Sequence, residues 1–164
     1  MAIATRAART TWTADLATGH GVVQAESGGF DALEVTWASR TEAPGGKTSP
    51  EELCAAAHSS CFAMALALKL GEIRTPPQEL QVKADVTLAE VDGLPTIVAS
   101  KLEVDGRVEG LDAAGFEAAV SEAIALCPVS RLFAGAEVTV SGHLWPDEDD
   151  PPCSVGAASG VDPA

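Results

Sequence analysis

Near the N-terminus, three stretches at roughly residues 9–17, 20–26 and 32–38 carry β-branched and aromatic residues, with turn chemistry at Gly19, Gly21 and Gly28-Gly29 between them. An antiparallel meander is the simplest arrangement. The loop EAPGGKTSPEE then ends in a helix start, with Ser49 as N-cap, Pro50 at the first helical position and Glu52 completing a Ser-x-x-Glu capping box. From Pro50 to about Leu70 every position tolerates a helix, and Gly71 is placed as its stop. Ala55, Ala56, Ala57, Ala63, Ala65 and Ala67 leave this helix little bulk, which predicts burial on most faces. His58, Ser59 and Ser60 interrupt its apolar run, which falls short of the ~20 clean residues a bilayer span needs.

Beyond Pro76-Pro77, Val82, Ala84, Val86 and Leu88 alternate with polar residues, and Val98, Ser100, Leu102 and Val104 do so beyond Gly93. That predicts a second hairpin. Residues 111–126 read as a helix, Cys127-Pro128 breaks it and opens a short further helix through Phe133, and residues 136–144 form a last strand. The order βββ-α-ββ-αα-β is that of an α+β domain, with antiparallel sheet around a buried central helix, over residues 1–145. Residues 146–164, acidic and rich in proline and small side chains, show no periodicity and are expected to form a disordered tail.

At 164 residues the chain is one domain's worth, and its 10 Lys+Arg against 24 Asp+Glu give a net charge of −14. A phosphate backbone or an anionic lipid surface would be repelled, so nucleic-acid and membrane roles are not expected. With aromatics at 4% and no Tyr, stacking platforms for bases or sugars are poorly supplied. GGKTS echoes a phosphate-binding loop but lacks the earlier glycine and the leading strand. Arg6 and Arg9 are followed by no apolar run, so no secretion signal is read and a cytoplasmic location is expected. In that reducing compartment Cys54, Cys61, Cys127 and Cys153, without a CxxC pair, are expected to be thiols.

Glu51, Cys54, His58 and Cys61 fall within an arc of about 80° on the central helix, so one stripe collects an acid, two thiols and an imidazole. Three readings fit this stripe. The cysteines can be small core residues with His58 a satisfied interior group. The Cys-x3-His-x2-Cys spacing can be a metal site, although three ligands spread over two turns are poor zinc geometry. Alternatively the stripe performs thiol chemistry, in which one thiolate attacks an oxidant and a cysteine remote in sequence closes a disulfide. Cys127 is the natural second partner, because its place at the start of a short helix favours a negative sulfur. A peroxide-cleaving thiolate also needs a cation, for which Arg40 is the first candidate and Arg131 the second, and Glu51 can hold an arginine by a bidentate pair. Ten residues of helix put Glu51 about 15 Å from Cys61 along the axis. Either an arginine bridges that gap or a second chain contributes to the site.

The run SPEELCAAAHSSCFAMAL at 49–66, with CPVSRLFAG at 127–135, resembles the signature pair of the OsmC/Ohr family, the osmotically inducible and organic hydroperoxide resistance proteins. The His58-bearing segment is closer to the OsmC branch, and the likeness extends over most of residues 9–144, including an early TW strand and the SR-T-E…GG-K loop. This resemblance implies a thiol-dependent peroxidase acting on organic hydroperoxides, built as an intertwined homodimer with its sites at the interface. In its terms Cys61 is the peroxidatic cysteine, Cys127 the resolving cysteine, Arg40 the activating arginine and Glu51 its acidic partner. The implied cycle passes through a Cys61 sulfenic acid and a Cys61–Cys127 disulfide, reset by a small dithiol or a dithiol protein, with no metal or organic cofactor. Leu53, Phe62, Met64 and Phe133 are the expected apolar lining. Cys54 is an added thiol, but i,i+7 spacing in one helix sets it about 10.5 Å along the axis from Cys61, too far for a bridge. A dimer of the same fold that senses redox state or carries a ligand without turnover is the alternative.

Overall fold

The computed structural model describes residues 1–145, and the expected tail, with Cys153, lies outside the described residues. In chain order the elements are β1 (Ala8–Thr13), β2 (His20–Ala25), β3 (Leu33–Val35), α1 (Trp37–Thr41), α2 (Pro50–Glu72), β4 (Glu79–Val91), β5 (Leu94–Arg107), α3 (Ala113–Leu126), α4 (Pro128–Leu132) and β6 (Glu137–Leu144). The α+β class is as the pattern predicts, with α1 as an added element. The third strand stops at Val35 rather than running to residue 38 because Thr36 caps a helical turn. Thr36 Oγ1 accepts from the Ser39 N–H and Ser39 Oγ accepts from the Thr36 N–H, both at 3.0 Å. This reciprocal box overrides the strand preference of Trp37.

The start of α2 also differs in detail from its sequence signature. Ser49 Oγ accepts from the Glu52 N–H at 3.1 Å, but the Glu52 carboxylate takes the Thr48 hydroxyl at 2.6 Å, so the capping box is only half made. Gly71 lies inside the last turn, and the chain turns away at Arg74, which adopts a left-handed φ of 63°.

Among the described residues six strands form two three-stranded sheets, β1-β2-β3 and β4-β5-β6. Strands β4 and β5 are joined by Asp92 and Gly93, with φ of 52° and 79°, the left-handed pair that a tight two-residue hairpin requires. Strand β6 runs parallel to β5, pairing Leu102 with Val140 and Val104 with Gly142. The expected wholly antiparallel sheet is corrected here. A parallel neighbour needs a crossover connection of a dozen or more residues, which the segment carrying α3 and α4 supplies between β5 and β6.

Helix α2 lays Phe62, Ala65, Leu66 and Leu70 into a core shared with Leu102 and Val104 of β5 and with Phe116, Val120 and Ala123 of α3. Its 23 residues meet the length and mean hydropathy of a membrane span, yet these inward side chains make it the core helix of the domain. Burial on most faces is not observed within one chain, since Ala56, Ala57, Ser60, Met64 and Leu68 remain exposed, the last two by 68% and 58%. The other layers, β4, α3 and α4, cover one side only. The sheet β1-β2-β3 packs chiefly on itself, and every residue of β1 is exposed.

Phe116 seats α3 on the sheet because β5 and β6 offer it glycines. A Cβ at Gly106 would meet Phe116 Cζ at 2.7 Å and Leu80 Cδ2 at 3.1 Å, and one at Gly142 would meet Val120 Cγ2 at 3.0 Å. Gly106→Ala is therefore expected to lower stability by about 1–3 kcal/mol through overpacking, read as a drop in the denaturant midpoint at constant slope.

Candidate active site

Cys127 ends α3 and caps α4 in one residue. Its N–H donates to the Ala123 carbonyl at 3.0 Å, while its Sγ accepts from the Ser130 N–H at 3.4 Å. A sulfur thus occupies the N-cap position usually taken by a serine or aspartate oxygen. The packing of α2 against α4 brings Cys61 against the same core cluster, close enough for each thiol to affect the other's ionisation. Both thiols are free, Cys127 buried and Cys61 partly exposed.

The pair is electrostatically asymmetric. Burial opposes ionisation of Cys127, but hydrogen bonds from the Ser130 hydroxyl and amide, from Cys61 and from the Val129 amide outweigh it and hold the thiol below its ordinary value. Burial pushes the Cys61 thiol up, the Val129 amide draws it down, and the adjacent Cys127 sulfur raises it again. Among the described residues no lysine or arginine acts on Cys61. Cys54 is raised by burial and by the Glu51 carboxylate.

One turn before Cys61, His58 is fully buried with both ring nitrogens engaged. Nδ1 lies 2.7 Å from Ser100 Oγ on β5 and Nε2 lies 2.8 Å from Ser130 Oγ on α4. Phe133 stacks on the ring at 5.0 Å between centroids. Burial alone lowers the imidazole's pKa, so the neutral form is favoured. Because its two nitrogens are taken by serines, His58 does not join Cys54 and Cys61 as the ligand set that the spacing allowed. Ser130 was legible as the third residue of α4, but Ser100, 42 residues from His58, carries no signal in the sequence.

Arg40 and Glu51 form the expected bidentate pair at the other end of α2. Arg40 Nε donates to Glu51 Oε1 at 2.9 Å and Oε2 at 3.2 Å, and Nη2 donates to Oε1 at 2.7 Å. Arg40 stands on α1 rather than at the close of a strand, which is what turns it towards the first turn of α2. The pair lines an open cleft of about 560 Å³ faced by Val86 and Leu88 of β4. Within one chain the structure therefore joins Cys61 with Cys127 and Arg40 with Glu51, but not the two pairs with each other. Of the expected lining residues, Phe62 is fully buried in the core and Phe133 covers His58, while Leu53 and Met64 retain exposure.

Fold and thiols together define a class: α+β proteins that hold a cysteine of a long core helix against one capping a short helix. Residues 43–141 match the OsmC-like protein family. Over 133 residues the chain is 39% identical to the peroxiredoxin OsmC of Escherichia coli (strain K12), covering 81% of this chain and 92% of that protein. The peroxiredoxin OsmC of Shigella flexneri matches to the same extent. Among solved structures, the organic hydroperoxide resistance protein OhrB of Bacillus subtilis superposes with a TM-score of 0.62 at 23% identity, covering 85% of this chain and 98% of that one. An organic hydroperoxide resistance protein from Elizabethkingia anophelis gives 0.64 at 25% identity, covering 87% and 99%. The chain belongs to the OsmC family, and with it to the cysteine-based peroxidases.

The neutral, buried His58 has a consequence for acid stability. Its folded-state pKa is depressed, so the unfolded chain takes up a proton that the folded one refuses. This contribution to stability is complete above the unfolded histidine value of about 6.5 and is lost as pH falls below it, by up to about 1.4 kcal/mol per pH unit. Chemical denaturation at stepped pH is expected to show that slope in the native protein and its loss in His58→Gln.

Proposed function

We propose that this protein reduces organic hydroperoxides to alcohols through Cys61, with Cys127 resolving the oxidised cysteine. The observation that carries the reading is the meeting of two free thiols, 66 positions apart in sequence (127 − 61), inside one core. In the first step the Cys61 thiolate attacks the outer oxygen of the hydroperoxide. An S–O bond forms, the O–O bond breaks, and the alkoxide takes a proton and leaves as alcohol. Cys127 then attacks the Cys61 sulfenic acid, an S–S bond replaces the S–O bond, and water departs. A small dithiol or a dithiol protein in the cytosol returns both thiols by exchange. Partly exposed Cys61 suits the step that meets substrate, and buried Cys127 the step that does not.

Cys61 needs a cation that its own chain does not bring, and the partner's Arg40 supplies it in a homodimer. Two features support a second copy here. The exposed α2 face at Ala56, Ala57, Ser60, Met64 and Leu68 is largely apolar, and among the described residues the sheet β1-β2-β3 lacks a packing layer of its own. The Arg40–Glu51 pair, held rigid at one end of α2, is thereby free to serve the other chain's thiol. Met64 and Leu53, which retain exposure near this face, supply apolar surface for an alkyl or lipid hydroperoxide.

One equivalent of an organic hydroperoxide is expected to give a Cys61–Cys127 bridge by mass spectrometry, and Cys61→Ser to abolish turnover with excess dithiol. Retained turnover in Cys61→Ser would remove the peroxidase reading, and single-use oxidation of the native protein would favour redox sensing. Arg40→Gln is expected to slow turnover by about one to two orders of magnitude. Mixing inactive Cys61→Ser with Arg40→Gln chains should restore about a quarter of native activity, since random exchange makes about half the dimers mixed, each with one complete site. No restoration means that the arginine acts within its own chain.

A further inference from the structure

Arg40 lies between two cavities of opposite character and lines both of them. One is the open cleft it shares with Glu51; the other, of about 100 Å³, is walled chiefly by Trp12, Leu16, Val35, Trp37 and Pro50. The backbone around the arginine is locked. Ser39 Oγ, already in the box with Thr36, lies 2.9 Å from the carbonyl of Thr48, the residue before the N-cap of α2, so α1 is tied to the helix turn that carries Glu51. A locked backbone does not aim a side chain as long as arginine. The fork to Glu51 sets one edge of the guanidinium against the carboxylate, yet two flexible side chains joined in this way can still tilt as a unit. Trp37 removes that freedom. It stands at the i,i+3 spacing on the same helical turn, with Arg40 Cζ over its ring at 5.8 Å from the centroid, so within an apolar wall the indole face is what meets the cation. Edge and face of the guanidinium are thus both engaged. Nε and Nη2 donate to Glu51, Nη1 has no hydrogen-bond partner among the described residues, and the side chain keeps 27% of its surface exposed.

We propose that Trp37 is a positioning residue for peroxide cleavage: its indole face fixes the tilt of the Arg40–Glu51 pair, so that the Nη1 edge of the guanidinium is presented to the hydroperoxide and the attacking thiolate. This rests on the peroxidase reading above, in which Arg40 serves the Cys61 of a second copy. Trp37 itself makes and breaks no bond. Negative charge develops on the departing alkoxide as the O–O bond breaks, and the donors that meet it lose strength steeply once they turn out of line. Misdirection of the arginine therefore slows the reaction without unmaking the ion pair. The ring type matters: indole attracts a cation more strongly than phenyl does, and an aliphatic side chain lacks the attraction altogether. Filling of the cavity alone would follow bulk and apolarity instead, and would not depend on Arg40.

In the full-length protein, Trp37→Leu is expected to lower kcat/KM for tert-butyl hydroperoxide by about three- to tenfold, a smaller loss than that of Arg40→Gln. Trp37→Phe should return it to within about twofold of native. Because the effect passes through the arginine, adding Trp37→Leu to Arg40→Gln should cause no further loss. Chain mixing locates the effect. Trp37→Leu placed in the Cys61→Ser chain, which supplies the arginine, should cut the restored activity by the same factor, whereas placed in the Arg40→Gln chain it should leave that activity unchanged. A further readout needs no peroxide: the nitrogen-correlated NMR signal of the Arg40 Nε–H, assigned by its loss in Arg40→Gln. Shielding by the indole face should hold this signal upfield, and Trp37→Leu should move it downfield. An equal loss from Trp37→Leu with and without Arg40, a Trp37→Phe protein no better than Trp37→Leu, or an unmoved Nε–H signal would overturn the proposal. If mixing restores nothing, the comparison of Trp37→Leu with and without Arg40 still decides it. Should the native protein turn over no hydroperoxide, the peroxidase reading fails, while the Nε–H signal still decides the Trp37–Arg40 contact.

Discussion

The meeting of Cys61 and Cys127 depends on the apolar seating of α2 against α3, α4 and β5. Phe62 follows Cys61 immediately and is wholly buried, with Leu66 and Leu70 continuing the same inner face over two further turns. Side chains of this kind contribute about 1.5–3 kcal/mol each when fully buried, so together they fix the height and rotation of the helix. Cys61 and His58 are carried at the edge of that face and have no freedom to drift. On the opposing side, Phe116 presses into the glycines of β5 and β6 and fixes α3, whose last residue hands the chain to Cys127.

Charge explains why, among the described residues, no lysine or arginine acts on Cys61. A protein with net charge −14 has few cations to place, and burial makes an anion at Cys61 costly. Arg40 is instead bound to Glu51 in a bidentate pair on the wall of an open cleft, where Glu51 lies about 15 Å from Cys61 along α2. A guanidinium so anchored keeps its remaining donors in a fixed direction.

The polar interior is economical. Ser100, His58 and Ser130 satisfy one another without an ionised member, so they avoid the desolvation cost of a buried ion pair. Each lies on a different element, so the chain of hydrogen bonds also registers α2 against β5 and α4. Stability and thiol environment are linked through this one contact set.

How much of this was legible in the sequence follows from the range of each interaction. Local chemistry was readable: the Ser49-Pro50 helix start, the hairpin that turns near Gly93, Cys127 at the start of a short helix before Pro128, and the class of α+β fold that their order makes. The Arg40–Glu51 pair was open from residue type, since a carboxylate can hold a guanidinium bidentately, and was implied by the family resemblance. Contacts across the fold were not readable. Alternation in β6 is the same whether it pairs parallel or antiparallel, and the α1 turn is set by a Thr36–Ser39 box that strand-like residues conceal. Phe62 reads alike as pocket lining or core, and only the rotation of α2 on its neighbours made it core. Nothing in the sequence joins Ser100 to His58, because that bond exists only once β5 lies under α2. Residue order determined the local elements and the two thiols, since caps and turns act over three or four residues; long-range packing decided which side chains those thiols meet.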